Sequence, residues 1–408
     1  MKTSNGVKKQ KKPQSPEKSK PKDHRELGRE LDLFSFHEVS PGAPFWHYKG
    51  MLIVKALEKF IRELQDKHGY EEISTPIMVK KELFEKSGHW EFFKDDMFYF
   101  KAGTETYALK PMNCPESALV YQTRTRSYRD LPLRLAEIGR LHRNELSGVL
   151  GGLLRVRQIT MDDAHIYCRF DQIKSELVSV LKMTEEFYKR LGLPVVYGLA
   201  TRPKKAMGSV KTWKEAEKLL GEALEELGLK YQTLKGEGAF YGPKIHFDIK
   251  DSLDRTWTIA TAQLDFQIPE RFQLEYIDAD GQAKRPVIIH RAIFGSFERF
   301  IGILLEHFKG ALPFWLSPVQ VAVLAINDQV TDYSKKVFEA LKNKNVRAEL
   351  DLRNESVGKK IREAELQKIP YLLIIGEKEA ASEKVAVRER GKGDIGQKTL
   401  EEFWEIIK

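Results

Sequence analysis

The sequence predicts an α+β domain built on an antiparallel sheet, followed by a small α/β domain. Residues 133–145 and 155–167 read as long strands joined by a glycine-rich loop, and 244–250 and 256–266 as two more consecutive strands. Strands that follow one another without intervening helices pair antiparallel. Beyond the proline-punctuated segment PFWLSP at 313–318, strands and helices instead alternate over fewer than a hundred residues, the pattern of an α/β unit. A chain of 408 residues with 41% hydrophobic content is long enough to core two domains, and it carries no internal repeat.

Residues 1–23 hold eight lysines against Glu17 and Asp23, so most of the formal charge of +9 is a tail. With almost no apolar residue to offset its ordering entropy, this stretch is expected to be a disordered Lys-rich extension, either solubilising or a holder of RNA phosphates. No apolar run reaches the ~20 residues of a membrane span, and no signal peptide or arginine-rich presequence is present. Two cysteines, Cys114 and Cys168, form no disulfide framework, which fits a reducing cytoplasm and no membrane partner.

Residues 24–48 form a polar, aromatic entry segment, and 50–67 an amphipathic helix with Met51, Val54, Leu57, Ile61 and Leu64 at helical spacing. A short strand at 70–74, a helix at 80–86 and a hairpin at 97–101 and 105–110 lead to a helix at 116–123. The long hairpin is followed by a helix at 171–191, a strand at 195–200, a helix at 210–227 and a strand at 230–234. A strand at 287–290 and a helix at 297–309 close the first domain; strands at 319–326, 346–350, 371–375 and 384–390, with helices at 330–342, 357–368 and 400–407, make the second.

Chemistry concentrates on the long hairpin. Side chains alternate faces along a strand, so Arg143, Glu145, Arg155, Met161, Asp163 and His165 are expected on one side. Ionised groups in such density need partners, water or a ligand: the hairpin is either exposed and solvated or one side of a site. On the helix at 297–309, Arg299 shares a face with Gly295 and Gly302, leaving room beside the guanidinium unless the arginine simply faces solvent. Guanidinium groups suit polyphosphate, while the absence of a Walker-type loop and of a G-x-S-x-G elbow excludes two familiar machineries. Cys114, His165 and His290 are too widely spaced for a zinc finger; a buried cysteine with two hydrogen-bonded histidines is one outcome, and an open three-ligand metal site the other.

The segments HGYEEISTP, PLRLAEIGRLHRNELSG with GLLRVRQITMDDAHIY, and HRAIFGSFERFIGILLE resemble the three signature motifs of the class II aminoacyl-tRNA synthetases. PMNCP, GEGAFYGPK and AQLDF resemble the threonyl-tRNA synthetase family within that class, and the likeness runs from about His24 to the C-terminus. The resemblance implies a class II catalytic domain at 24–312, a linker at 313–318 and an anticodon-binding domain at 319–408. It implies an ATP-dependent threonine–tRNA ligase with one Zn²⁺ per subunit on Cys114, His165 and His290, Mg²⁺ accompanying ATP, and L-threonine and tRNA(Thr) as partners. A homodimer through the first motif is also implied.

By the same resemblance, Arg143 and Glu145 hold the α-phosphate and adenine, Arg155 lies near the γ-phosphate, Arg299 on the bent ATP, and Gln263 makes a further nucleotide contact. Asp163 accepts the threonine hydroxyl, Tyr241 lies near the amino group and Lys244 near the carboxylate, with Met112, Met161 and Ser296 also lining the substrate site. His89 assists transfer to the ribose, and Asn354, Glu379 and Arg388 read the anticodon. Met161 stands where many members carry glutamine, and His246 where an acid is usual, as a strand residue without a catalytic part. No editing domain precedes the catalytic core, so mischarging with serine is expected. Competing readings are a non-catalytic RNA-binding relative and a paralogue for another amino acid.

Overall fold

The computed structural model describes residues 21–408, so nearly all of the expected Lys-rich extension lies outside the described residues. The first element is α1 (His24–Glu30), unanticipated in the entry segment, where Asp23 accepts the Arg25 and Glu26 N–H groups and Glu26 returns to the Asp23 N–H. A ribbon of β1 (Phe34–Ser35) and β2 (Phe45–Trp46) leads into α2 (Tyr48–Lys67), which buries Ile53, Val54, Leu57, Phe60, Ile61 and Leu64 along one stripe. Then come β3 (Glu71–Glu72), β4 (Met78–Lys80), α3 (Lys81–Ser87), α4 (His89–Phe93), β5 (Tyr99–Ala102), β6 (Glu105–Leu109) and α5 (Cys114–Tyr121). β4, β6 and β5 make a small sheet of their own.

The long hairpin is β7 (Leu133–His142) and β8 (Gln158–Cys168), followed by α6 (Ile173–Leu191), β9 (Val195–Ala200), α7 (Val210–Glu226) and β10 (Tyr231–Leu234). After β11 (Lys244–Lys250) and β12 (Thr256–Asp265) lie α8 (Gln267–Arg271), the ribbon β13 (Tyr276–Ile277) and β14 (Ala283–Lys284), β15 (Val287–Ala292) and α9 (Phe297–His307). The eight-stranded sheet runs β10-β9-β11-β12-β15-β8-β7-β3. Its six inner strands are antiparallel, and only the edge strands β10 and β3 pair parallel with their neighbours. β10 can do so because α7 provides the crossover that a parallel connection requires.

Alternation then divides the sheet. Even-numbered residues of the hairpin, including Ala136, Ala164, Ile166 and Cys168, join the core beneath α2, α6 and α9. On the same side Arg291 and Asp162, both fully buried, pair at 2.7 Å, and Asp162 also accepts the Ile293 and Phe294 N–H groups. Breaking such a buried pair by removing one partner would leave an uncompensated charge between β8 and β15. Odd-numbered residues are left for the opposite face.

Residues 313–318 are a packed joint rather than an extended strap. Phe314–Leu316 forms one 3-10 turn, Leu316 is fully buried, Trp315 packs edge-on to Phe60, and Arg347 donates to the Trp315 and Ser317 carbonyls. Beyond it lie β16 (Val321–Ala325), α10 (Thr331–Asn343), β17 (Ala348–Asp351), α11 (Val357–Leu366), β18 (Tyr371–Ile375), α12 (Glu377–Ala381), β19 (Val385–Glu389), β20 (Gly393–Lys398) and α13 (Leu400–Ile407). The sheet order is β17-β16-β18-β19-β20. β20 was not anticipated, because its sequence GDIGQK is polar and glycine-rich; it forms by pairing with β19.

Candidate active site

On the open face of the sheet, cross-strand partners place Leu135 opposite His165, Glu137 opposite Asp163 and Gly139 opposite Met161. The sequence expectation therefore holds for Met161, Asp163 and His165. Arg143, Glu145 and Arg155 reach the same side as Met161, but from beyond the paired strands: β7 ends at His142, β8 begins at Gln158, and the Arg143 N–H still bonds across the hairpin, to Arg157 O at 2.8 Å. Between them the chain folds back, with Asn144 N–H bonded to Asp96 O at 2.8 Å, Arg157 N–H to Gly42 O at 2.7 Å, and 3-10 turns at Ser147–Val149 and Gly152–Leu154. These contacts, and not alternation, bring the three residues to the site.

They line one cavity of about 500 Å³ together with Lys244, Ser296 and Arg299. Arg143 Nε donates to Pro111 O at 3.3 Å, Arg299 Nε to Leu154 O at 3.0 Å, and Arg155 pairs with Glu145 at 2.8 Å. Burial lowers the proton affinity of Arg143, and loss of water plus the like charges of Arg143 and Arg155 lowers that of Arg299. Three guanidinium groups answered by one carboxylate make a cavity suited to an anion of several charges. Ser296 caps α9, its Oγ accepting the Arg299 N–H at 3.2 Å.

The room expected beside Arg299 is present on the Gly295 side, where both residues line the cavity, but not at Gly302. Gly295 precedes the helix at φ +71, where a Cβ would lie 2.7 Å from Ile259 O, and Gly302 is covered by Leu153 and Leu154. Gly302 serves close packing against the loop, while Gly295 borders the cavity beside the arginine.

Beyond Met161, which lines that cavity, the same face of β8 continues with Asp163 and His165. Donor atoms of Cys114, His165 and His290 lie within 4.8 Å of one another, although they come from α5, β8 and β15. The two imidazole rings meet edge to face at 4.9 Å, and His290 Nε2 is 2.9 Å from Asp265 Oδ2. Burial drives His165 well below its usual range, so its nitrogen lone pair is free, while burial pushes the Cys114 thiol up. One sulfur and two imidazoles, with a carboxylate behind one ring, fit a zinc ion with an open coordination position; a bound cation would displace the thiol proton.

Asp163 Oδ2 is 4.0 Å from His165 Nε2 and accepts from Asn113 Nδ2 at 3.0 Å. Burial raises its carboxyl to about 6 despite that hydrogen bond. Asn113 itself lies over Gly139, where a Cβ would be 2.4 Å from Asn113 Oδ1. Glu137, the cross-strand neighbour of Asp163, is buried and pairs with Lys110 at 2.9 Å, and both hold Thr75, which precedes Pro76 in the first signature segment. Asn113, Gly139, Asp265, Glu137 and Lys110 were not singled out from sequence. Asn113 and Asp265 lie within the quoted PMNCP and AQLDF, and Glu137 and Gly139 within PLRLAEIGRLHRNELSG, which was the available signal.

His89 opens α4, with Nε2 at 3.6 Å from Cys114 Sγ and Nδ1 at 2.8 Å from Ser87 Oγ; burial lowers it to about 4. Tyr241 stands 6.0 Å from the His290 ring and donates to Gln263 Oε1 at 3.3 Å. Gln263 thus sits beside the Cys114–His165–His290 cluster, opposite His290 in the ladder, while Lys244 pairs with it from β11 and lines the arginine cavity. Met161 lines the same cavity, and Met112 is half-buried between Pro111 and Asn113. His246 lies on β11 opposite Gly198 and Thr261, its Nε2 buried without a partner.

In the C-terminal sheet, Asn354 and Glu379 lie just beyond the carboxyl ends of the parallel strands β17 and β18. Asn354 is exposed; Glu379 accepts from the Gly376 N–H and from Gln397. Arg388 is set apart on β19, opposite Leu372 and 3.5 Å from Glu365.

Comparison with known proteins agrees with both halves. The profile of the tRNA synthetase class II core domain (G, H, P, S and T) matches residues 98–308, and that of the anticodon binding domain residues 320–408. The chain is 54% identical over 392 residues to a threonine–tRNA ligase of Clostridium botulinum, and 54% over 391 residues to that of Carboxydothermus hydrogenoformans. These alignments cover 96% of the chain but only 62% of each relative's own length. A crystal structure titled as the RNA binding domain of threonyl-tRNA synthetase from Cryptosporidium parvum superposes with a TM-score of 0.90 at 42% identity, covering 94% of this chain and 97% of that one. The chain belongs to the class II tRNA synthetases, in the threonyl-tRNA synthetase family.

Proposed function

We propose that the chain works as a threonine–tRNA ligase, forming threonyl-adenylate from L-threonine and ATP and passing the threonyl group to the terminal adenosine of tRNA(Thr). The observation that carries this is the adjacency of two hollows: Cys114, His165 and His290 beside Asp163, and Arg143, Arg155 and Arg299 around one cavity. In the first step a threonine carboxylate oxygen bonds to the α-phosphorus while the bond to the bridging oxygen breaks and pyrophosphate leaves. The nucleophile is already an anion, so rate depends on alignment and charge neutralisation, the tasks of Arg143, Arg299 and Lys244 with Mg²⁺ accompanying ATP. In the second step a ribose hydroxyl attacks the carbonyl and AMP leaves, with His89 beside the reacting end.

Cys114, His165 and His290 would hold the zinc, which supplies a Lewis-acid anchor for amine and hydroxyl. Asp163 accepts the substrate hydroxyl, and Asn113 restrains its carboxylate. Valine would leave that carboxylate unpaired, a mismatch that costs about 10⁴ or more; serine lacks only a methyl, worth about 1–3 kcal/mol. ATP–pyrophosphate exchange across amino acids, with zinc analysis, tests the reading: threonine first, serine measurable and valine near background are expected, and preference for another amino acid would overturn it.

The catalytic unit is assigned to 24–312, the joint to 313–318 and the anticodon-binding unit to 319–408, which agrees with profile matches that stop at 308 and resume at 320. Anticodon recognition is assigned to Asn354, Glu379 and Arg388. Pairing into a homodimer is assigned to the Thr75–Pro76 region, and cytoplasmic placement is in keeping with the free thiols of Cys114 and Cys168. Among the described residues no helix is long and apolar enough to cross a membrane.

A further inference from the structure

We infer that His24, on α1 and outside every signature segment, is a positioning residue for the nucleotide cavity. Its side chain is buried, with 3% of the residue exposed, between α9 and the loop that joins β7 to β8. The Leu153 N–H donates to His24 Nε2 at 3.1 Å, so that nitrogen must present its lone pair. The ring proton therefore sits on Nδ1, 2.6 Å from Glu306 Oε1, and the His24 backbone N–H donates to the same oxygen at 3.1 Å. Glu306, on α9, is also paired with Arg255. Each partner of the imidazole thus specifies one tautomer.

The loop is fitted to this ring. Gly152 adopts φ +57, and a Cβ at that position would lie 2.3 Å from His24 Nε2. Only a residue without a side chain allows such an approach in that backbone conformation. One residue beyond Leu153, the Leu154 carbonyl accepts from Arg299 Nε at 3.0 Å, and the next residue is Arg155. The contacts form a closed circuit: Glu306 of α9, His24 of α1, Leu153 and Leu154 of the loop, and Arg299 back on α9. His24 braces the loop from behind while Arg155 and Arg299 face the cavity from in front. A displacement of α1 reaches both arginines through two hydrogen bonds.

The inference rests on reading Arg155 and Arg299 as ATP-binding groups. Its test splits the ring's two functions in the 408-residue chain. His24→Asn keeps an amide donor near the Nδ1 position and loses the acceptor for Leu153; His24→Gln places an amide oxygen near the Nε2 position and loses the bond to Glu306. MgATP binding is measured by titration calorimetry without threonine, and KM values for ATP and threonine by pyrophosphate exchange. H24N is expected to bind MgATP about fivefold more weakly, the equivalent of one net hydrogen bond. H24Q should stay within about twofold of the unaltered chain, and the KM for threonine should not move in either.

Equal losses in the two variants, a threonine KM that rises in step, or an H24N affinity within about twofold of the unaltered chain would overturn the inference. Should the unaltered chain bind MgATP but activate no threonine, the proposed function falls and calorimetry still decides the role of His24. Absence of MgATP binding in the unaltered chain overturns both. If H24N does not fold, hydrogen exchange decides: protection of the Leu153 amide beyond that of exposed Gly148 supports the brace, and equal rates refute it.

Discussion

The two ends of the site, the Cys114–His165–His290 cluster proposed as the metal end and the arginine cavity proposed as the phosphate end, are adjacent but built in opposite ways. His165, His290 and Asp163 project from inner, antiparallel-paired strands that the buried Arg291–Asp162 pair bridges, and Cys114 opens a mostly buried helix. Arg143, Glu145 and Arg155 occupy the loop beyond the ladder, held by turns, backbone hydrogen bonds and the brace from α1. Ladder geometry suits a site that must measure a small substrate. Loop geometry suits one that must admit and release a large anion.

The largest expected effect comes from breaking the phosphate end without touching the metal end. Arg299→Ala should lower pyrophosphate exchange by about 10²–10³-fold, the scale of losing one preorganised charge partner, with the same zinc content as the unaltered chain. Breaking the metal end alone should reverse that signature: Cys114→Ser should lose zinc and about a hundredfold of threonine activation, yet bind MgATP as before and keep its circular dichroism. If either substitution abolished both zinc and ATP binding, the two ends would be one cooperative unit.

A subtler break lies within the metal end. Gly139→Ala adds a methyl that must displace the Asn113 amide, 2.4 Å away, and so release Asp163. Discrimination of threonine from valine should fall by about tenfold, the low end of what a hydrogen bond to a charged group is worth, with ATP binding unchanged; unaltered discrimination would detach Asn113 from selectivity.

Smallest in effect is the response to acid. Burial raises the Glu306 carboxyl, but hydrogen bonds from His24 and Arg255 outweigh it and hold it at about 2, against an ordinary 4.5. Its folded value is depressed, so the stability it contributes is complete above about 4.5 and is lost as pH falls toward 2. Melting followed through that window should show a steeper decline for the unaltered chain than for Glu306→Gln, and the Leu153 amide should lose protection there before residues of β8 do.

Legibility followed the same division. Alternation along β8 correctly placed Met161, Asp163 and His165 on one face, because a strand's period is a local property. The same rule put Arg143, Glu145 and Arg155 on the correct side for a reason that does not apply, since they lie beyond the strand ends, and where a strand ends depends on what holds the chain beyond it. Spacing alone left Cys114, His165 and His290 undecided between core residues and metal ligands; resemblance to a family supplied the grouping that three distant segments do not reveal. Asn113 and Gly139 escaped notice because an amide lying on a glycine is visible only in three dimensions.

By itself, the sequence determined an antiparallel core with an appended α/β unit, the odd face of β8, and the guanidinium groups from which an anion cavity is made. These rest on periodicity, on connection lengths and on charges that do not change with environment. Tertiary structure alone decided that donors from α5, β8 and β15 meet within 4.8 Å, that the arginines converge from outside the ladder, and that His24 stands behind them. Those outcomes depend on packing between residues far apart in the chain, which no local pattern encodes.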